Sequence, residues 1–401
     1  MTKTIVILGA GLTGLPLAHY LLSRIAPQHP DLRIVLVSPH THFYWCLASV
    51  RFVLPTTEHA IPEDRYLFPI ADEFTQYPNS ASQFEFVAGA AKNLQPDSNS
   101  VTVALNDGKE REIAYHTLVV ATGTSYAEGM PWKALGTAEE TRAAIAKLQA
   151  QIDAASSIVV AGAGATGVEF AGELGAAYGK SGRKKITLLS TDPLPLESRL
   201  KESVRVGTKK ELEKLGVEYI GNARVTSGAV PNSKGGKEVT MEVNSDGEKS
   251  APTTKTLAAD LVIPTYGAKP NTSFVPPSLI STSSPGRLLQ DTSLRSPSYP
   301  NIFVLGDAGA LDPPQAVYAD RQVRHLMTQF NSYLTSGTIQ PYAVDPKVVY
   351  GVTFGPDRGI GQMGCFQIPS LVIWWVKGRY LGTDRAGGWP AVGSTNGAWP
   401  K

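Results

Sequence analysis

The sequence predicts an α/β protein built on two β-α-β units, with a smaller third region at its C-terminal end. Three observations predict it. Gly9-Ala10-Gly11-Leu12-Thr13-Gly14 and Gly162-Ala163-Gly164-Ala165-Thr166-Gly167 are near copies, and laying Gly9 on Gly162 also brings Ile5, Val6 and Ala18 onto identical residues. Each copy follows an apolar run of β type, Ile5 to Leu8 and Ile158 to Ala161, and opens a helical pattern. A third apolar run, Ile302 to Leu305, closes on Gly306-Asp307.

The strand-turn-helix setting turns a weak glycine string into a dinucleotide signature. Gly9 and Gly162 allow the tight turn, Gly11 and Gly164 let a pyrophosphate approach the backbone, and Gly14 and Gly167 let helix and strand pack closely. Free N–H groups at the helix start then face the phosphates. Two such units in one chain imply two dinucleotides, and so electron transfer between them.

The composition fits this. At 401 residues the chain is long for one domain, and 42% hydrophobic with 18% charged residues suits a globular protein with a sizeable core. A net charge of +2 carries no nucleic-acid footprint, and Arg183-Lys184-Lys185 reads as a solvated turn. Two cysteines, Cys46 and Cys365, make no disulfide framework, and no metal site is expected. No signal-peptide pattern, Met-Gly start or bilayer-length apolar run is found. The expected location is cytoplasmic.

In the first unit the second strand, Arg33 to Ser38, ends where an acid normally binds the adenosine ribose; Ser38 holds that place and can offer a hydroxyl. The dense run His42 to Arg51 follows, close to where a flavin ring would lie. Arg51 is a candidate for a pyrophosphate or ring carbonyl, against a plain ion pair, and Cys46 for redox chemistry, against a small buried hydrophobe. Residues 84 to 121 read as a β-meander that closes on Ala121-Thr122-Gly123, and Thr137 caps a helix running to Asp153.

In the second unit Glu169 stands just past the last glycine, where a carboxylate can hold a nicotinamide carboxamide or simply complement the helix dipole. The second strand ends at Ser190-Thr191, which leaves NADH and NADPH both open. Residues 227 to 255 read as an exposed meander around Glu238 to Val243, and Gly267-Ala268-Lys269-Pro270-Asn271 returns the chain to the first unit. Asp307 suits a flavin ribityl hydroxyl. The helix after Pro313-Pro314 would aim its N-terminus, Gln315 and Ala316, at the flavin, with Tyr318 and Gln315 as edge contacts. Residues 370 to 380, with Trp374 and Trp375, suit a core element, a dimer face or a membrane interface, the first two being favoured.

With Gly9 to Gly14, Ala121 to Gly123, Gly162 to Glu169, Gly267 to Asn271 and Gly306-Asp307 in this order, the chain resembles the pyridine nucleotide-disulfide oxidoreductase superfamily. It looks most like the apoptosis-inducing-factor-like branch that includes ferroptosis suppressor protein, with type II NADH dehydrogenases as cousins. Val352-Thr353-Phe354 through Gly359-Ile360-Gly361-Gln362 belongs to the same resemblance. It implies a glutathione-reductase-like fold of two Rossmann-like domains. Residues 1–127 and 268–338 would bind FAD, residues 128–267 would bind NADH or NADPH, and residues 339–401 would form a small α+β domain. It also implies hydride transfer from nicotinamide to FAD and onward reduction of a quinone-like or other small two-electron acceptor. Cofactor ligands would be Gly9, Gly11, Gly14, Ser38, Arg51, Thr122, Gly123, Gly306, Asp307, Gln315, Ala316 and Tyr318 for FAD. Those for the nicotinamide dinucleotide would be Gly162, Gly164, Gly167, Glu169, Ser190 and Gly267. Glu169 and Cys46 are the catalytic candidates.

The absence of a Cys-x4-Cys pair excludes the glutathione and lipoamide type of disulfide reductase. Three other readings stay open. Cys46 could serve a single-cysteine peroxidase, oxidase or disulfide reductase. The chain could be a tailoring enzyme of specialised metabolism, or a flavin-stabilised binding protein.

Overall fold

Ile5 and Ile7 join one apolar cluster, Val6 and Leu8 another, and all four are buried. A strand covered on both faces belongs inside a parallel sheet. In the computed structural model, which describes residues 2–55, 60–126, 129–231, 237–244 and 252–396, strand Lys3–Leu8 lies there. Leu32–Ser38 flanks it on one side in the register Leu8↔Val37, and Thr117–Val120 on the other in the register Leu8↔Val120, both parallel. Ile302–Val304 and the first half of Phe84–Gln95 extend the parallel part outward. Phe84–Gln95 then pairs antiparallel with Ser100–Leu105, and that strand with Glu110–Ala114.

The meander expected over residues 84 to 121 therefore stops at Ala114. Thr117–Val120 leaves it for the centre of the sheet because all four of its residues are buried, which an edge meander cannot provide.

The second unit is a four-stranded parallel sheet in the order Val217–Ile220, Lys185–Leu189, Ser157–Ala161, Leu261–Pro264. One face carries an antiparallel layer of Ala223–Pro231, Lys237–Val243 and Thr253–Ala259, with Val239 and Met241 packed toward Val159 and Leu189. Residues 232–236 and 245–251 of the expected exposed meander, and the expected boundary at 127/128, lie outside the described residues. Helix Ala138–Ala154 begins with a full capping box: Glu140 N donates to Thr137 Oγ1, and Thr137 N donates to Glu140 Oε2.

Two short crossing strands tie the units together. Thr124–Ser125 pairs antiparallel with Lys269–Pro270. Beside it Thr122 Oγ1 donates to Asn271 O (2.7 Å), and Asn271 Nδ2 donates to Thr122 O (2.9 Å).

Beyond helix Ala316–Ser336, strands Val349–Phe354, Arg358–Met363 and Phe366–Ile368 form an antiparallel sheet followed by helical turns over residues 370–378. The sheet lies against helix Ala165–Leu174 so closely that a Cβ on Gly172 would sit 2.9 Å from Phe354 Cα. Ile373 seats on a glycine strip, where a Cβ on Gly359 or Gly361 would come within 2.3 or 2.5 Å of its side chain. The expected core packing of residues 370–380 holds for one face only. Ile373 and Gly378 are buried, but Leu371 and Trp375 are each 72% exposed. Among the described residues no helix is long and apolar enough to cross a membrane.

Candidate active site

The two glycine turns share one geometry. Gly9 has φ +105° and Gly162 φ +108°, a region open to glycine at little cost. A Cβ on Gly14 would lie 1.9 Å from the Gly9 carbonyl oxygen, and one on Gly167 1.8 Å from the Gly162 carbonyl oxygen. At Gly11 and Gly164 a Cβ would meet nothing within 4 Å. The third glycine of each turn therefore serves packing, and the middle one leaves a cradle that a side chain would fill.

The surrounding bonds repeat as well. Gly9 N donates to Val37 O (2.8 Å) as Gly162 N does to Leu189 O (3.0 Å). Ala121 N donates to Leu8 O as Thr265 N does to Ala161 O, both at 2.8 Å. Helices Gly14–Tyr20 and Ala165–Leu174, which start in these turns, have no side-chain cap. Uncapped N–H groups beside an open cradle match a pyrophosphate. These residues fit the pyrophosphate of a dinucleotide, FAD or a nicotinamide dinucleotide, in each unit.

The ribose positions differ from expectation in what the hydroxyls do. Ser38 Oγ donates to His40 O (3.0 Å) and accepts from His40 N (3.2 Å). Ser190 Oγ accepts from Asp192 N, also at 3.2 Å. Both units thus end the second strand in a turn stapled by its own serine, an arrangement short polar side chains favour. Thr122, expected at the flavin, has its hydroxyl on the Asn271 carbonyl instead, where it joins the crossing strands. Gly123 (φ +64°) and Gly267 (φ +77°) mark the two ends of that crossing.

Arg51 finds its partners inside the protein rather than on a phosphate. Nε and Nη2 both reach the Glu173 carboxylate (2.7 to 3.0 Å), Nη2 also donates to Gly378 O (2.9 Å), and Nη1 to Arg379 O (3.3 Å). The plain ion pair wins because the whole guanidinium is buried and needs a counter-charge there.

Asp307 follows Gly306 (φ +67°) and is mostly buried. Its Oδ2 accepts from Thr124 Oγ1 and Lys133 Nζ, each at 3.2 Å. Burial works against the Lys133 charge, but the nearby Cys46 and Asp307 outweigh it and raise its pKa above the usual lysine range. Cys46 is partly exposed with a free thiol. Asp307, Tyr126 and Cys46 therefore lie near Lys133, and Gly306 places Asp307 beside the first glycine turn, where a Cβ on Gly306 would come 3.5 Å from the Thr13 side chain. Gln322 fixes the Gly306 turn: its Oε1 accepts from Gly306 N, and its Nε2 donates to Asp312 Oδ2, both at 2.8 Å.

Glu169 is buried on helix Ala165–Leu174. Its Oε1 accepts from Lys377 Nζ (2.6 Å), Thr353 N (3.1 Å) and Thr353 Oγ1 (3.3 Å). The C-terminal sheet thus fixes the carboxylate expected at the nicotinamide. On the other side, Leu196 (φ +67°) donates its N–H to Ala163 O (2.8 Å), folding the loop after the second strand over the second glycine turn. That loop carries Glu197, which accepts from Arg199 Nε and more weakly from Gln315 Nε2 (3.4 Å). Gln315 precedes helix Ala316–Ser336, whose start also has no side-chain cap, and Tyr318 is buried in its first turn beside Arg199.

Lys133, Glu173, Glu197, Arg199, Tyr350, Thr353 and Lys377 were missed in the sequence. Only Thr353, in the Val352-Thr353-Phe354 signature, and Lys377, within residues 370 to 380, stood in segments singled out there.

Residues 3–323 match the family described as pyridine nucleotide-disulphide oxidoreductase. The chain belongs to that family. Among its relatives, oxidoreductase ptaL of Pestalotiopsis fici is 34% identical over 372 residues, covering 92% of this chain and 94% of that protein. Ferroptosis suppressor protein 1 of Taeniopygia guttata is 24% identical, covering 98% and 96%. Among solved structures, the sulfide:quinone oxidoreductase of Aquifex aeolicus superposes with a TM-score of 0.72 at 18% identity, covering 98% and 92%. NDH2 of Plasmodium falciparum, solved in complex with NADH, gives 0.73 at 12% identity, covering 96% and 99%. The mixed α/β fold with Rossmann-like units is that of this oxidoreductase family.

Proposed function

We propose that this oxidoreductase holds FAD in the first unit, draws electrons from NADH or NADPH bound at the second, and delivers them to a quinone-like acceptor. The observation that carries the reading is the pair of matching glycine turns, each with its middle glycine facing open space. FAD, once bound, supplies the hydride-accepting and electron-donating chemistry, and the protein supplies binding, orientation and electrostatics.

The geometry supports the following roles. Gly9, Gly11 and Gly14 seat one pyrophosphate, and Gly162, Gly164 and Gly167 the other. Asp307, anchored by Lys133 and Thr124, accepts a ribityl hydroxyl. The start of helix Ala316–Ser336 offers N–H groups and a positive dipole end to the flavin edge. Glu169, held by Lys377 and Thr353, orients the nicotinamide carboxamide. Residues 1–127 with 268–338 form the FAD part, 128–267 the nicotinamide part and 339–401 the C-terminal part. The sulfide:quinone oxidoreductase and the NADH-bound NDH2 among the structural neighbours favour a quinone acceptor and a nicotinamide donor.

Anaerobic titration of the FAD-loaded protein with NADH and then NADPH, followed by flavin absorbance, tests the reading. Rapid bleaching by either nucleotide is expected; a flavin that stays oxidised with both refutes it. Glu169→Gln should slow the bleaching without loss of flavin.

One observation favours a second reading. The free, partly exposed Cys46 thiol lies near the Lys133 ammonium, the kind of electropositive setting in which reactive cysteines sit. Cys46→Ser should abolish acceptor turnover while leaving flavin reduction intact if that thiol is used, and unchanged turnover removes it.

A further inference from the structure

Tyr350 sits on strand Val349–Phe354, three residues before the Thr353 that holds Glu169. The residue is 8% exposed, and its hydroxyl oxygen is buried without a hydrogen-bond partner. A hydroxyl buried in this way costs free energy that phenylalanine at the same place would not incur. The charged and polar groups near enough to act on it are the carboxylates of Glu197 and Glu169, the guanidinium of Arg199 and the phenol of Tyr126.

These groups come from separate parts of the chain. Glu197 and Arg199 belong to the loop over the second glycine turn, Glu169 to the helix behind that turn, and Tyr126 to the segment after the first crossing strand. Both carboxylates already have donors, Glu197 from Arg199 and Gln315, and Glu169 from Lys377 and Thr353. Burial first, and then the two carboxylates, push the Tyr350 pKa far above the usual tyrosine value. The phenol therefore keeps its proton at physiological pH and has an O–H to donate.

We propose that Tyr350 donates a hydrogen bond to a carbonyl oxygen of the ligand that occupies this junction. Two ligands carry that chemistry, the nicotinamide carboxamide and a quinone-like acceptor. The inference rests on the functional reading above and adds to it a residue that touches the ligand.

The test compares FAD-loaded wild type with Tyr350→Phe in three measurements. Without nucleotide, the variant should melt at the same temperature or higher, because it removes an unpartnered hydroxyl; a structural hydroxyl would give a lower Tm. In the reductive half-reaction, the nucleotide that bleaches the flavin is compared with its thionicotinamide analogue, in which sulfur replaces the carboxamide oxygen. In the oxidative half-reaction, the reduced protein is mixed with a short-chain 1,4-benzoquinone.

Loss of one hydrogen bond should weaken apparent affinity about threefold to tenfold in one arm only. A loss in the nucleotide arm, with the variant no longer separating the oxygen and sulfur forms, identifies the carboxamide. A loss in the quinone arm identifies the acceptor. Equal behaviour of wild type and variant in both arms, or a lowered Tm with both arms equally impaired, overturns the inference while the functional reading stands. A wild-type flavin bleached by neither nucleotide removes both.

Discussion

Replacing Arg51 by methionine separates two roles for this residue. The Arg51 and Glu173 side chains are 3% and 4% exposed, so water cannot take over for a lost partner. Removing one member of a buried pair costs about 3–5 kcal/mol, because the other charge is left in a poorly solvated place. Arg51→Met also takes a donor from the Gly378 carbonyl and loosens the C-terminal segment. With an unfolding entropy of about 2.1 cal/mol/K per residue, that loss over 401 residues lowers Tm by roughly 4–6 °C if the chain unfolds as one unit. The assay is thermal unfolding of the protein freed of FAD and again after reloading. The ion-pair reading expects the drop in both states, with FAD affinity little changed. It also expects Arg51→Met with Glu173→Met to recover most of the loss, since well-packed apolar pairs often replace buried ion pairs at little cost. An Arg51→Met protein that melts like wild type without FAD, but binds FAD much more weakly, would refute the reasoning and restore the phosphate contact.

The cradles make a paired prediction. Gly11→Ala and Gly164→Ala meet no protein atom and should leave the Tm of the cofactor-free protein near wild type; the first should lose FAD, and the second should keep FAD but lose reduction by nicotinamide. Gly14→Ala, whose Cβ collides with the Gly9 carbonyl, should fail to fold stably, as judged by circular dichroism. Gln322→Leu leaves both Gly306 N and Asp312 short of a partner, a cost of about 1–3 kcal/mol, and should release FAD at lower urea concentrations than wild type. Acid should destabilise the fold through two histidines. Burial pushes both His19 and His40 down to about 4, so their contribution is full above pH 6.5. It is lost as pH falls from 6.5 toward 4, because only the unfolded chain takes up the protons there. A His19→Gln, His40→Gln protein should show a flatter fall of Tm over that window, and an equally steep fall would remove the explanation.

What could be read from the sequence depends on how local each constraint is. The strand, the glycine turn and the helix of a dinucleotide unit lie within a short stretch, and the requirement at Gly14, against the Gly9 carbonyl, is met or broken inside it. The same holds for the Thr137 cap, where both bonds close within the first helical turn. Ser38 and Ser190 show the limit of that method. Their places in the backbone are as expected, but position alone does not say that each hydroxyl is already engaged by the residue two further on. Arg51 shows it more strongly, since its counter-charge Glu173 and the carbonyls of Gly378 and Arg379 are distant in sequence, and no local pattern distinguishes them from a phosphate.

The C-terminal signature explains why such distant partners matter. Val352 to Gln362 was recognisable as a motif, but its meaning is steric. Glycines at 359 and 361 make room for Ile373, and seating Ile373 fixes the start of the helical segment that carries Lys377 to Glu169. On the neighbouring strand Thr353 reaches the same carboxylate, and Tyr350 faces the same junction. A sheet that looks peripheral to two dinucleotide units is therefore what orients the carboxylate between them. Substitutions in that sheet should change how the nicotinamide is held before they change how FAD is held, because the contacts to Asp307 and the first glycine turn come from elsewhere in the chain.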